Sequence, residues 1–262
     1  MSDAEPVTLV KKSGAAILTL DREERMNALS RATLLAFGRI GRELALDPAL
    51  RAIVITGSGE KAFCAGADLK ERTGMGPDEV RAQLGLYRSE LGWLDRSRVP
   101  VVAAINGIAF GGGLELALLC DLRVAAAHAK LGLPETGLGI IPGAGGTQRL
   151  PRIVGEARAK ELILLGSRID AEQALGFGLV NRVSPVGKGV LEDTLEWIRP
   201  ILEGAPIAQS AALAAIDSSY RVSLEQGLEL ERVYYDECLR SEDRNEALAA
   251  FTEKRKPSFR GR

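Results

Sequence analysis

Three short, largely apolar runs constrain this chain more than anything else: Ala52–Gly57, residues 100–105 and Leu122–Ala126. An apolar run of five or six residues bounded by turn signals reads as a strand buried on both faces. Between the runs lie small-residue turns and helical patterns. Strands alternating with helices argue for an α/β architecture with right-handed crossovers. Ahead of the runs, residues 7–11 and Ala15–Leu20 read as a hairpin joined by Ser13-Gly14. A polar loop (21–28) follows, and then Ser30 caps a helix carrying Leu34, Phe37, Ile40 and Leu44. A loop over 61–72, a mobile-looking 74–78 stretch and a helix over about 80–97 separate the first two runs. Lys130–Gly132 is a short strand after the third.

From Leu191 onward strand patterns vanish, and 191–202, 207–218, 224–239 and Glu242–Glu253 read as successive helices. The chain therefore divides into a core over 1–200 and a helical region over 201–262. The latter is too small to bury a core of its own and is expected to dock on a neighbouring subunit.

The most informative motif is Ala109-Phe110-Gly111-Gly112-Gly113-Leu114-Glu115, followed by Leu133-Pro134-Glu135. Consecutive glycines let backbone approach a ligand closely. A helix starts at once, so its free N–H groups and positive dipole end favour negative charge, including charge that develops during a reaction. A carboxylate one turn inside that helix, with a second downstream, is equipment for proton transfer beside an oxyanion. A second small-residue loop, Phe63-Cys64-Ala65-Gly66-Ala67-Asp68-Leu69-Lys70-Glu71, can set the Ala67 N–H against that of Gly112 as a pair of converging donors. Taken singly, each of these is a turn or a helix start; their combination points to chemistry.

Other classes are excluded by what is missing. Pro142-Gly143-Ala144-Gly145-Gly146-Thr147 resembles a phosphate loop in composition but lacks its Lys-Ser/Thr, and no strand is followed by GxGxxG. There is no G-x-S-x-G elbow, and the single histidine, His128, reads as a surface residue. No residue cluster suggests a metal. A formal charge of −1 over 262 residues gives no general electrostatic case for nucleic acid or membrane. Three cysteines without metal spacing fit a reducing compartment. Residues 1–6 carry no apolar leader, and no long apolar stretch is free of charge, so a cytoplasmic protein without a membrane span is expected.

Over nearly its whole length the chain resembles the enoyl-CoA hydratases of the crotonase superfamily. The resemblance rests on residues 63–71, 107–121 and 133–135, on 140–151, and on Ala250-Phe251-Thr252-Glu253-Lys254-Arg255. It implies a spiral of ββα turns, a helical C-terminal trimerisation region, and a hexamer built as a dimer of trimers. It assigns Glu115 and Glu135 as catalytic, Ala67 and Gly112 as oxyanion-hole amides, and Gly143 to the active-site lining. Ala65, Asp68, Leu69 and Lys70 match the stretch that grips coenzyme A, and Phe251 and Lys254 match positions reaching a neighbouring subunit's coenzyme A. Coenzyme A is then part of the substrate, with no separate cofactor.

Within the superfamily, residues 64–72, 114–118, 123–126 and 145–152 resemble the methylglutaconyl-CoA hydratase branch of leucine breakdown. A member of that branch is described as binding RNA through a lysine-rich helix. Here the matching helix, 30–44, offers only Arg31, Arg39 and Arg42, so nucleic acid is not an expected partner. The competing readings are a general short-chain enoyl-CoA hydratase, an isomerase or decarboxylase of the same fold, and a non-catalytic RNA-associated protein. Retention of both glutamates disfavours the last two.

Overall fold

The structure, a computed structural model, describes residues 5–262. The leader reading therefore falls partly on residues 1–4, outside those described. The chain opens with the expected hairpin, β1 (Val7–Lys12) against β2 (Ala15–Leu20), antiparallel through Ser13-Gly14. Next comes α1 (Arg31–Leu44), whose first turn is closed by Ser30 Oγ accepting from Thr33 N at 3.1 Å. Its apolar face, with Leu34, Phe37, Ile40 and Leu44, is buried.

From there a three-part unit repeats: a strand in one sheet, a short strand in a second sheet, and a helix. The first turn is β3 (Ala52–Gly57), β4 (Ala62–Cys64), then α2 (Leu69–Arg72) and α3 (Pro77–Leu91). The second is β5 (Val101–Ile105), β6 (Ile108–Phe110) and α4 (Gly112–Leu118). The third is β7 (Leu122–Ala126), β8 (Lys130–Gly132), α5 (Gly146–Val154) and α6 (Glu156–Leu164). After it come β9 (Arg168–Asp170), α7 (Ala171–Gly176) and β10 (Arg182–Ser184).

The outcome is a six-stranded sheet in the order β1-β2-β3-β5-β7-β10 and a four-stranded sheet in the order β4-β6-β8-β9. All pairings from β2 to β10 in the first sheet are parallel, and so are β4-β6 and β6-β8. β3 and β5 are buried along their whole length, as unbroken apolar runs require. The α/β spiral of ββα turns is thus present.

Three sequence expectations are corrected. The 74–78 stretch is not wholly a loop: Pro77 and Asp78 form the first turn of α3, and Glu79 Oε2 accepts from Gly76 N at 2.8 Å. Proline suits that position because its missing N–H has no partner there. The helix expected over 80–97 stops at Leu91, followed by one tight turn at Leu94–Arg96. The helix over 191–202 is broken into α8 (Val190–Trp197) and α9 (Arg199–Leu202), since Pro200 cannot continue the backbone ladder.

The chain ends in α10 (Pro206–Ser218), α11 (Leu224–Arg240) and α12 (Glu242–Glu253). α8 packs on β5, β7 and β10, whereas α10 packs chiefly on α11. The last residues fold back, Asp243 accepting from Arg260 N at 2.6 Å and Gly261 N at 2.8 Å. Among the described residues no helix is long and apolar enough to cross a membrane.

Candidate active site

The two sheets and the helices between them leave a cavity of about 500 Å³, walled by the loops that end β4, β6 and β8 and by α3. Each turn of the spiral delivers one loop to it. Sequence-distant motifs therefore meet because they occupy equivalent places in successive turns.

The first loop supplies Ala67. Its neighbours bond to Leu29: Leu29 N donates to Gly66 O at 2.8 Å and Asp68 N donates to Leu29 O at 3.1 Å. In extended backbone successive N–H groups point to opposite sides, so this pairing turns the Ala67 N–H away from Leu29. Gly66 makes the bend with φ +104°; a Cβ there would lie 2.9 Å from Phe110 O. The second loop supplies Gly112, the first residue of α4, entered through Gly111 at φ 52°. A Cβ on Gly112 would stand 3.6 Å from Ala67 N, so the two main-chain donors share one corner. Neither donates to another group among the described residues.

Glu115 and Glu135 line the same cavity, 3% and 8% exposed. α4 is only seven residues long, but its far end is held by buried Arg123, which donates to Cys120 O at 2.6 Å and to Leu179 O at 2.7 Å. Glu115 Oε1 accepts from Ala144 N at 2.8 Å and Gly146 N at 2.7 Å. The glycine-rich turn at 142–147 is therefore a cradle for a carboxylate of the protein itself, shaped by Gly145 at φ +112°. Burial raises the Glu115 carboxyl above its ordinary value, and the two N–H donors oppose that shift. Glu135 opens a tight turn after β8 and sits over Gly111, its Oε1 3.1 Å from where a Cβ would be. Its Oε2 is buried without a partner. Burial first, and then the nearby Glu115 charge, push its carboxyl up to about 7.

Of the other expected residues, Ala65, Leu69 and Gly143 line the cavity. Asp68 does not offer its side chain: burial disfavours the charge, but Arg22 at 2.9 Å and the Lys70 N–H hold it below the usual carboxylate range. Any ligand contact at Asp68 falls to its backbone. Lys70 is exposed on α2 outside the lining. Phe251, 86% exposed, lies on α12 and Lys254 caps its C-terminal end; neither is brought to this cavity by its own chain. Tyr234, expected near the acyl pocket, lines a separate groove between α10 and α11. His128 is exposed, as expected, its Nε2 3.0 Å from Glu60 O. Among the described residues no group of three or more His, Cys, Asp or Glu is placed to hold a metal.

Two polar lining residues escaped the sequence reading as individuals, Arg72 and Tyr87. A signal for Tyr87 existed: Gln83, Tyr87 and Leu91 recur every four residues and are the buried face of α3.

A ββα spiral with paired main-chain donors facing two buried carboxylates defines a crotonase-type acyl-CoA enzyme. The enoyl-CoA hydratase/isomerase family matches residues 10–262, and the chain belongs to that family. A methylglutaconyl-CoA hydratase of Mus musculus is 42% identical over 251 residues, covering 95% of this chain and 80% of that protein. A short-chain-enoyl-CoA hydratase of Clostridium acetobutylicum is 39% identical over 250 residues, covering 95% of each. The crystal structure of an enoyl-CoA hydratase from Bacillus anthracis superimposes with a TM-score of 0.95 at 44% identity, covering 98% of this chain and 100% of that one.

Proposed function

We propose that this enzyme adds water reversibly across the double bond of 2-enoyl-CoA thioesters. The observation that carries the reading is the unequal environment of the two glutamates opposite two unengaged N–H groups. Glu115, whose carboxyl is raised by burial but whose ionised form the two backbone donors on one oxygen favour, takes a proton from water. Glu135, with an unpartnered oxygen and a carboxyl pushed up to about 7, keeps its proton for the α-carbon. As the water oxygen bonds to the β-carbon, the double-bond electrons move to the thioester oxygen, where Ala67 and Gly112 hold the enolate. Glu135 then protonates the α-carbon; dehydration retraces these steps with the same groups.

The reading needs no cofactor, because coenzyme A arrives with the substrate. The backbone of Ala65, Asp68 and Leu69, together with Lys70, grips it, and Gly143 borders the water near Glu135. The finer assignment is methylglutaconyl-CoA hydration in leucine metabolism, in the cytoplasm. The 42% and 39% identities to hydratases of different substrates support the reaction more than the acyl group. Residues 201–262 serve assembly into a hexamer, a dimer of trimers, with Phe251 and Lys254 reaching a neighbour's coenzyme A. Support comes from the exposed apolar side chains Ile216, Leu228, Val233 and Tyr235 on α10 and α11. An RNA-binding role finds little support in α1, where Arg39 and Arg42 are paired with Glu5 and Glu90. The test is turnover on a panel of 2-enoyl-CoA thioesters, followed by loss of the conjugated absorbance. Hydration of at least one is expected; isomerisation of 3-enoyl thioesters with no hydration would overturn the reading.

A further inference from the structure

Arg22 stands in the stretch between β2 and α1, outside the cavity lining, and grips both sides of the contact that aims the Ala67 N–H. Its Nη1 donates to Ala28 O at 2.8 Å and its Nη2 to Asp68 Oδ2 at 2.9 Å. Ala28 and Asp68 are the chain neighbours of Leu29 and Ala67, which pair across an isolated bridge. Besides the two bonds of that bridge, Ala65 N donates to Met26 O at 3.0 Å. The Arg22 end is itself fixed. Asn27, a buried side chain, accepts from Arg22 N at 3.1 Å and donates to Ser58 O at 3.0 Å and to Ala62 O, at the start of β4, at 2.7 Å. Met26 and Asn27 take φ of 52° and 56°, a conformation that such residues keep only where their surroundings impose it.

Helix capping does not account for this arrangement. Asp68 Oδ1 caps α2 by accepting from Lys70 N at 3.1 Å. A cap uses one oxygen, and asparagine would serve as well as aspartate. The second oxygen and the arginine are left over, and they tie the loop of Ala67 to the stretch that carries Leu29. Charge matters too. Hydration puts negative charge on the thioester oxygen beside Ala67, and a lone carboxylate on the next residue would oppose it. A guanidinium bonded to that carboxylate cancels the opposition.

We infer that Arg22, acting through Asp68, is a positioning residue for the oxyanion hole: its two-armed grip on Ala28 and Asp68 fixes the aim of the Ala67 N–H and neutralises the carboxylate next to it. The inference rests on the oxyanion reading of Ala67 and Gly112 and adds to it the side chains that hold one of those donors in place. Arg22 acts only through the loop, since it does not line the cavity.

The experiment takes difference infrared spectra of the whole enzyme with butyryl-CoA carrying a heavy carbon at the thioester carbonyl, a saturated ligand that binds without reacting. Two N–H donors on the oxygen polarise the carbonyl and lower its stretching frequency. The wild-type complex should show that lowering, and Arg22→Met should lose much of it. Arg22→Lys should fall between, because the charge survives but the fork that reaches two acceptors does not. With the fastest 2-enoyl-CoA of the panel, Arg22→Met should lower kcat about 10- to 100-fold at nearly unchanged KM. Asp68→Asn should lower it in the same direction, since one amide oxygen cannot serve both Lys70 N and Arg22. An arginine that only stabilises the fold would lower the melting temperature and leave the carbonyl frequency and the kcat per folded site unchanged; that result overturns the inference. So does a loss confined to KM, which would make Arg22 a coenzyme A contact. If Arg22→Met fails to fold, Arg22→Lys and Asp68→Asn carry the same comparison. A wild-type complex without a lowered carbonyl frequency would overturn the oxyanion reading and the inference with it. A lowering that every variant retains would overturn the inference alone.

Discussion

Replacing Glu135 by glutamine should cripple catalysis and stabilise the fold, and the second effect should depend on pH in a defined direction. The carboxyl is raised from 4.5 to about 7, chiefly by burial. Below pH 4.5 it is protonated both in the folded chain and in the unfolded one, so no penalty exists. Between 4.5 and about 7 the unfolded chain ionises while the folded one holds its proton, and stability falls. Above about 7 the folded chain carries the full penalty of a buried charge. The whole shift corresponds to at most ~3.4 kcal/mol; the cavity mouth opens to water, which screens the charge and leaves about 1–2 kcal/mol. Glutamine keeps the shape and never ionises. Glu135→Gln should therefore melt about 2–6 °C above the wild type at pH 8, and at nearly the same temperature at pH 4.5. Thermal scans at matched protein concentration give the comparison, and turnover should drop by ~10²–10⁴. A variant that melts with the wild type at every pH would refute the buried-charge argument, and one that retains its activity would refute the proton-donor role.

Glu115→Gln should also lose ~10²–10⁴ in turnover while still binding product, because the amide oxygen can keep both bonds from Ala144 and Gly146. Full activity would remove Glu115 as the base. kcat/KM for hydration should fall as pH rises through about 7, where Glu135 loses its proton; a profile flat from pH 6 to 9 contradicts its role as the acid. Gly112→Pro removes one oxyanion donor at a helix position that accepts proline, and it should reduce kcat by ~10²–10³ with little change in substrate affinity. Gly113→Ala, by contrast, should impair folding itself, because its Cβ would overlap the Cys64 carbonyl; unchanged soluble yield and melting temperature would count against the close packing of α4 on β4. Sedimentation at micromolar concentration should show six subunits, or three. Lys254→Glu should weaken coenzyme A binding in a manner that fades as salt rises, and a fully active monomer would sink the shared-site idea.

The first sheet was legible because β3 and β5 are short, almost wholly apolar runs, and β7 is one broken only by Arg123. Of the second sheet only β8, at Lys130–Gly132, was read as a strand. β4 and β6 are three residues each, too short to show any period, and Ile108-Ala109-Phe110 reads simply as the approach to the glycines. Glu115 and Glu135 could be singled out because each follows a distinctive turn. The purpose of Gly143 to Gly146 was hidden, since only three-dimensional closure shows that their N–H groups face Glu115 rather than a phosphate. Arg72 was hidden for a related reason: on an exposed-looking α2 it resembles Lys70, and only the packing of α3 brings it into the cavity.

The Ala67 and Gly112 donors belong to the main chain, and their aim is set by a bridge to Leu29 and by two glycine bends. Codon changes at positions 67 and 112 can alter the side chain there, but apart from proline they leave the N–H in place. The carboxylates opposite are ordinary side chains that a single substitution erases. In the proposed mechanism, the half of the site that steadies negative charge would thus be inherited with the fold, while the half that moves protons would be set residue by residue. A descendant could exchange Glu115 or Glu135 for other groups and still stabilise an enolate. New reactions on this scaffold need only relocate where the proton, or whatever replaces it, is delivered.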